Sequence, residues 1–274
     1  MTALKQSAET GAPTLQDDLA LLKAAVRDSG ALALGYFDRH SLQVDKKPDG
    51  SEVSEADLAV DAALKRELET PRKDYGWLSE ETEDDRSRLS RSHVWVVDPI
   101  DGTRAFVRSI PEWTISAALI ADGAPVLGAV YNPVTDEFFH AIKGGGAFLN
   151  DEPIRVGTDK GLAGARLIAS GGLFRKAMWR DPWPEVETRW VNSVAYRLAL
   201  VAADQAEATI SMSPKSEWDV AAAALIVEEA GGAVTDHAGK PFAYNQATPK
   251  IPSVIGAPPA IHHAIIERTR QVEI

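Results

Sequence analysis

The sequence predicts an α+β half followed by an α/β half, and three observations carry that expectation. Apolar residues at helical spacing fill the chain before Pro71, and runs of strand length cluster between His93 and Ile142. Beyond Gly144-Gly145-Gly146, short strand-like runs and helical patterns alternate instead.

Residues 1–13, rich in Ser, Thr, Gly and Pro near their end, read as a short disordered tail. From Leu15 to Phe37 apolar residues recur at Leu15, Leu19, Leu22 and Val26, with Thr14 as the cap and Asp17 and Asp18 favouring a helix N-terminus. A polar turn, Lys46 to Ser51, leads to a second amphipathic helix from Glu55 to Glu69, capped by Ser54 and stopped by Pro71. Strand-like runs follow at His93–Val97, Trp113–Ile120, Val126–Tyr131 and Glu137–Ile142, the middle two joined through Asp122-Gly123, which predicts an antiparallel sheet. The second half reads as strands at Ala165–Ala169, Ala208–Met212, Ala233–Thr235 and Ser253–Gly256. Helices are expected at Ser193–Ala202, Val220–Ala230 and Pro259–Arg270. With no internal repeat and no low-complexity linker, an N-terminal half at 14–160 and a C-terminal half at 161–274 should share a close interface.

A chain of 274 residues with 45% hydrophobic content can bury a large core. Its formal charge of −11, from 40 acids against 29 bases with no basic stripe, disfavours nucleic acid polymers and anionic membranes as partners. The N-terminus lacks a signal-type apolar core and no stretch has the length of a membrane helix, so a cytoplasmic protein is expected. The absence of cysteine excludes disulfides, thiol catalysis and cysteine-type zinc sites, which leaves oxygen chemistry.

The strongest local signal is Trp95-Val96-Val97-Asp98-Pro99-Ile100-Asp101-Gly102-Thr103. An apolar strand delivers Asp98, Pro99 is expected to stop further pairing, and Asp101 follows beside a glycine that permits close backbone approach. Carboxylates this close repel, and a hard divalent cation with oxygen ligands, such as Mg²⁺, is the usual reason to hold them together. Taken singly, each acid has a plainer reading. Asp98 and Asp101 could bond turn amides, and Glu80-Glu81 could be a solvated patch. Asp219 could be an N-cap, and Asp57 could serve only the helix dipole.

Four segments taken in order are harder to explain singly: Lys47-Pro48-Asp49-Gly50-Ser51 through Asp57, Ser79-Glu80-Glu81-Thr82, Asp98 to Thr103, and Trp218-Asp219-Val220-Ala221-Ala222-Ala223. Together they resemble the motifs of the inositol monophosphatase superfamily, from about Leu15 to the C-terminus. The resemblance implies a layered αβαβα sandwich of the sugar-phosphatase type, with an antiparallel N-terminal sheet in the metal-binding half and a smaller mixed C-terminal sheet completing the site. It implies a Mg²⁺-dependent phosphomonoesterase using two or three ions, sensitive to lithium or calcium, and a homodimer is a common state among such proteins.

By the same resemblance, Glu80, Asp98 and the Ile100 carbonyl would hold a first metal, and Asp98, Asp101 and Asp219 a second. Thr103, oriented by Asp57, and Glu80 would activate the attacking water. The Gly102 and Thr103 amides would cradle the phosphate at the start of a short helix through Phe106.

Leu78 to Glu81, the strand at Trp113–Ile120 and Leu127 to Pro133 look most like bacterial 3'(2'),5'-bisphosphate nucleotidases, so 3'-phosphoadenosine 5'-phosphate is the first expected substrate. Arg104, Lys215 and Arg197 would then meet a second phosphate. Gly144 to Asn150 and the segment from Trp218 to Gly232 look closer to inositol monophosphatases, which makes inositol 1-phosphate the alternative, and Arg104 after Thr103 resembles histidinol phosphatases and some nucleotidases. From other classes, a non-catalytic regulator that binds a phosphate ligand and a structural cation site remain alternatives. Trp179, Trp183 and Trp190 read as a cluster covering a hydrophobic edge or stacking an adenine, with Trp190 also available for a subunit contact. Gly144-Gly145-Gly146 reads as a turn, and His262-His263 has no third ligand in view for a metal.

Overall fold

The computed structural model describes residues 13–37, 42–48, 50–158, 161–175 and 178–274. Residues 1–12 of the expected tail and Asp49 of the first motif lie outside the described residues. Helix α1 (Leu15–Leu34) starts after Thr14, which forms a capping box with Asp17, and ends three residues before the predicted stop at Phe37, the chain turning at Gly35 instead. A hairpin of β1 (Val44–Lys46) and β2 (Glu52–Ser54) leads into α2 (Glu55–Glu69), which has the predicted bounds.

Strands β3 (Gly76–Ser79) and β4 (His93–Asp101) come next, followed by the short helix α3 (Thr103–Val107). Then come β5 (Thr114–Ala121), β6 (Ala124–Asn132), β7 (Glu137–Ile142), β8 (Gly146–Leu149) and β9 (Glu152–Ile154). The strands from β3 to β9 form one seven-stranded sheet in chain order. It is antiparallel except at one edge, where β3 pairs parallel with β4, a departure from the wholly antiparallel expectation. The reason is the connection: the segment between Ser79 and His93 runs back along the sheet before β4 begins, as a parallel pair requires.

The remaining elements are β10 (Arg166–Ile168), β11 (Glu187–Arg189), α4 (Val194–Ala202), β12 (Ala208–Ser211), β13 (Lys215–Ser216) and α5 (Glu217–Glu229). After them come β14 (Ala233–Thr235), β15 (Lys250–Ile251), β16 (Val254–Ala257) and α6 (Pro259–Thr269). A five-stranded mixed sheet has the order β11-β10-β12-β16-β14.

Side-chain alternation along β4 shows how the layers stack. Trp95 and Val97 join Leu22, Val26, Val60 and Leu64 of α1 and α2 in one core, while Val94 and Val96 join the apolar faces of α4 and α5 in another. The second sheet gives Ile168, Val234 and Val254 to the α4–α5 core and Leu167, Ile210 and Ile255 to a third core with Ile261 and Ile265 of α6. The order is therefore α1/α2, sheet, α4/α5, sheet, α6, the expected αβαβα sandwich. Helix α5 is sheathed on all sides, with every residue from Val220 to Val227 buried, which explains why its sequence is apolar throughout rather than amphipathic. Among the described residues, no helix is long and apolar enough to cross a membrane.

Candidate active site

The parallel pairing of β3 with β4 aligns Ser79 with Val97, so the residues that follow, Glu80 and Asp98, leave the sheet at the same end. An antiparallel edge would have placed them at opposite ends. The Glu80 amide still bonds the Val97 carbonyl at 3.3 Å, which keeps Glu80 against the strand. Strand β4 does not stop at Pro99, as expected, but continues to Asp101 through a bulge. Asp98 faces Ser116 and Asp101 faces Thr114, so two residues of β4 are accommodated against one of β5. Pro99, with no N–H to give the ladder, sits in that bulge. Asp98 Oδ1 accepts the Ile100 amide at 3.1 Å, so the turn-amide reading holds for one of its oxygens. Gly102 then takes φ +100°, and a Cβ there would press to 3.2 Å of both the Glu112 carbonyl and the Ser193 amide.

The other acids come from helix starts. Asp57 is the third residue of α2, and its Oδ2 accepts the Ser54 amide at 2.8 Å. Its Oδ1 faces the Thr103 hydroxyl at 3.0 Å, a hydroxyl also 3.1 Å from the Ile100 carbonyl. Asp219 repeats the arrangement on α5: the N-cap is Ser216, not Asp219 as one reading had it, and Asp219 Oδ2 accepts the Ser216 amide at 2.8 Å. Asp101 Oδ2 accepts from the Ser193 hydroxyl and the Ala195 amide, each at 2.6 Å, which ties β4 to the start of α4.

Glu80, Asp98, Asp101, Thr103 and Asp219 line one cavity of about 420 Å³, together with Ile100, Gly102, Arg104, Trp190, Arg197, Lys215 and Lys250, and Asp57 lies behind Thr103. One oxygen from each of Glu80, Asp98 and Asp219 lies within 4.8 Å of the other two. Burial raises the Asp98 carboxyl well above the ordinary carboxylate range, and the charges of Glu80, Asp101 and Asp219 push it further. Burial and the neighbouring Asp101 charge take Asp219 up to about 7. Asp101 is raised by burial too, against the bonds from Ser193 and Ala195. Burial likewise raises Asp57, against its bonds with Ser54 and Thr103. Oxygen donors alone, crowded and mutually repelling, fit a hard divalent cation such as Mg²⁺.

Sequence reasoning gave Lys47 no role, yet its ammonium bonds both Glu80 and Glu81 at 2.7 Å. Burial works to lower the Lys47 pKa, but the charge of Glu80 and the bonds to both acids outweigh it and raise it. Glu81 is raised by burial to about 7, against Lys47. Asp61, one turn after Asp57, accepts from Ser79 Oγ and Thr82 Oγ1 and so brackets Glu80-Glu81 on both sides. Neither partnership has a local sequence signal except that Lys47 belongs to the first motif and Asp61 follows Asp57 at helical spacing.

The three expected cations reach the cavity in different states. Arg104 is exposed on its rim. Lys215 Nζ bonds Ser213 Oγ at 2.9 Å and the Pro214 carbonyl at 3.1 Å. Arg197 is buried, bonding the Val191 carbonyl at 2.7 Å and the Asn192 carbonyl at 3.2 Å. The expected tryptophan cluster divides. Trp179 and Trp183 meet edge to face at 5.2 Å beside Phe174 in the α6 core, as a covered hydrophobic edge, whereas Trp190 stands apart at the cavity. Chain proximity suggested one group because their separation is set by the second sheet, not by sequence. His262 bonds Thr235 through Nε2 at 2.9 Å, a structural use.

Comparison with known proteins places this geometry. The model of the inositol monophosphatase family matches residues 14–273. An inositol-1-monophosphatase of Rhizobium meliloti is 35% identical over 228 residues, covering 80% of this chain and 85% of its own. A histidinol-phosphatase of Chlorobaculum parvum is 35% identical, covering 81% of this chain and 87% of its own. The structure of the extragenic suppressor protein SuhB from Bartonella henselae superposes with a TM-score of 0.79 at 29% identity, over 92% of this chain and 98% of that one. The chain thus belongs to the inositol monophosphatase family and is a metal-dependent phosphoric monoester hydrolase.

Proposed function

We propose that this enzyme uses Mg²⁺ to hydrolyse a small phosphate monoester of a ring alcohol, with inositol 1-phosphate as the substrate. The observation that carries the phosphatase chemistry is the meeting of Glu80, Asp98 and Asp219 oxygens within 4.8 Å, beside the Thr103–Asp57 hydrogen bond. Glu80, Asp98 and the Ile100 carbonyl would hold one ion, and Asp98, Asp101 and Asp219 another. Bound there, Mg²⁺ supplies charge neutralisation for the phosphate oxygens and makes a water more acidic.

The chain's own groups do the rest. Thr103 donates to Asp57 Oδ1, which leaves the hydroxyl oxygen's lone pairs to accept a hydrogen bond from the attacking water, whose proton passes to Thr103 as Thr103 passes its own to Asp57. Glu80, just past the end of the neighbouring strand β3, aims that water. The Gly102 and Thr103 amides and the Arg104 guanidinium orient the phosphate, and Lys215 lies on the leaving-group side.

For the leaving group, the relatives named for inositol 1-phosphate and histidinol phosphate support a monoester over the bisphosphate nucleotide first expected. Two of the three cations expected to meet a second phosphate point the same way. Arg197 is used by the Val191 and Asn192 carbonyls, and Lys215 by its own loop.

Phosphate release from inositol 1-phosphate, histidinol phosphate and 3'-phosphoadenosine 5'-phosphate, compared as kcat/KM at fixed Mg²⁺, tests the assignment. The inositol ester should lead, and preference for the bisphosphate would reverse the substrate reading. Asp98→Asn should lower kcat by at least about 100-fold with the fold retained by circular dichroism. Wild-type turnover from that variant would remove the acid cluster from the chemistry.

A further inference from the structure

We propose that Trp190 is a specificity-determining wall of the cleft, a rigid plate that selects phosphate esters whose leaving group is a ring with a flat C–H face. This deepens the function proposed above and rests on it. Trp190 is 53% exposed, so its indole contributes little to the core. It is nevertheless held. The Arg197 guanidinium lies 4.1 Å from the ring centroid, and Arg197 is itself only 4% exposed and fixed by the Val191 and Asn192 carbonyls. Val191, next in the chain, is fully buried and anchors the backbone beneath the ring.

The plate stands where two cavities adjoin. One is the cleft that holds Asp98, Thr103 and Asp219; the other, of about 170 Å³, is lined by Ser170, Leu173, Ile210 and Met212. Trp190, Arg197, Ser211 and Ser213 line both. An ester substituent that extends from a phosphate seated at the acids toward this shared opening meets the indole, with Leu173, Ile210 and Met212 lining the smaller cavity beyond it. Arg197 takes one face of the indole and leaves the exposed remainder for the ligand. A ring laid flat on that surface makes contact over its whole face at no cost in ring conformational freedom, whereas an acyclic substituent touches less and loses torsional freedom.

The test uses the full-length enzyme with Mg²⁺ and two esters, inositol 1-phosphate and glycerol 2-phosphate, in the wild type, Trp190→Ala and Trp190→Phe. The ratio of kcat/KM for the ring ester over the acyclic one should fall about tenfold in Trp190→Ala, through KM rather than kcat. In Trp190→Phe it should stay within about threefold of wild type. Calorimetric binding of both esters with Ca²⁺ in place of Mg²⁺ should show the same preference and the same loss. An unchanged ratio and unchanged binding preference in Trp190→Ala would overturn the proposal. So would an altered molecular mass on gel filtration with the ratio intact, which would make the indole a subunit contact. Absence of phosphate release from both esters by the wild type would instead refute the function proposed above, and the binding preference would still decide the role of Trp190.

Discussion

His140 shows how a single buried side chain sets a pH limit. It lies on β7 with its ring stacked on Phe148 at 5.0 Å, is 5% exposed, and its Nδ1 has no hydrogen-bond partner among the described residues. Burial, reinforced by the Lys23 and Arg27 charges, lowers its pKa from 6.5 to about 4. The folded value lies below the unfolded one, so the unfolded chain binds the extra proton first as pH falls. The associated stability is complete above pH 6.5 and is lost as pH drops toward 4. At pH 5 the loss is about 2 kcal/mol. His140→Phe keeps the stack and removes both the titration and the unpaired nitrogen. Urea unfolding at pH 7 and pH 5 should give the variant a smaller drop than wild type by about that amount. Equal drops would mean that His140 is charged in the folded protein.

At the scale of elements, β6 and α5 meet backbone to backbone. A Cβ at Gly128 would lie 2.5 Å from the Ala222 carbonyl oxygen and 3.0 Å from its Cα. Since Asp219 lies in the first turn of that helix, anything that pushes the helix outward moves an acid of the candidate site. Gly128→Ala should therefore lose about 1–3 kcal/mol in urea unfolding and also lose kcat/KM, whereas a purely local strain would spare the activity. The sequence announced α2, the β5–β6 hairpin and β7 because each carries its own periodicity or turn. It did not announce β3, a buried four-residue strand with only Trp77 and Leu78 apolar at its centre, whose strand character comes from pairing with β4, or β11, whose three residues are all exposed. The acids of the site were legible through their motifs, because each sits at a strand end or helix start that local sequence marks. Lys47 on Glu80 and Glu81, Ser193 on Asp101 and the isolation of Trp190 were not, because each depends on chain segments that meet only after the sheets assemble.

For the whole molecule, the acids act as a joint between layers. Asp98 belongs to the first sheet and Glu80 follows its edge strand β3, while Asp219 sits in the first turn of the helix packed between the two sheets and Asp101 is bonded to the start of α4. Without a cation, burial raises Asp98, Asp101 and Asp219 together, so bringing their charges to one place opposes the folded state. A divalent ion held there, as proposed above, would reverse the sign of that interaction and bind only where the layers are assembled, so its binding free energy would add to folding stability. At a Mg²⁺ concentration 100 times its Kd the gain is about 2.7 kcal/mol for one site. In a chain of this size that raises the thermal midpoint by about 5–10 °C. The midpoint measured in EDTA and then in rising Mg²⁺ should show this shift for wild type and most of its loss in Asp98→Asn, whose own midpoint in EDTA should be equal to wild type or higher because one buried charge is gone. Equal Mg²⁺ shifts in the two proteins would put the ion elsewhere and leave the repulsion among these acids without its counter-charge.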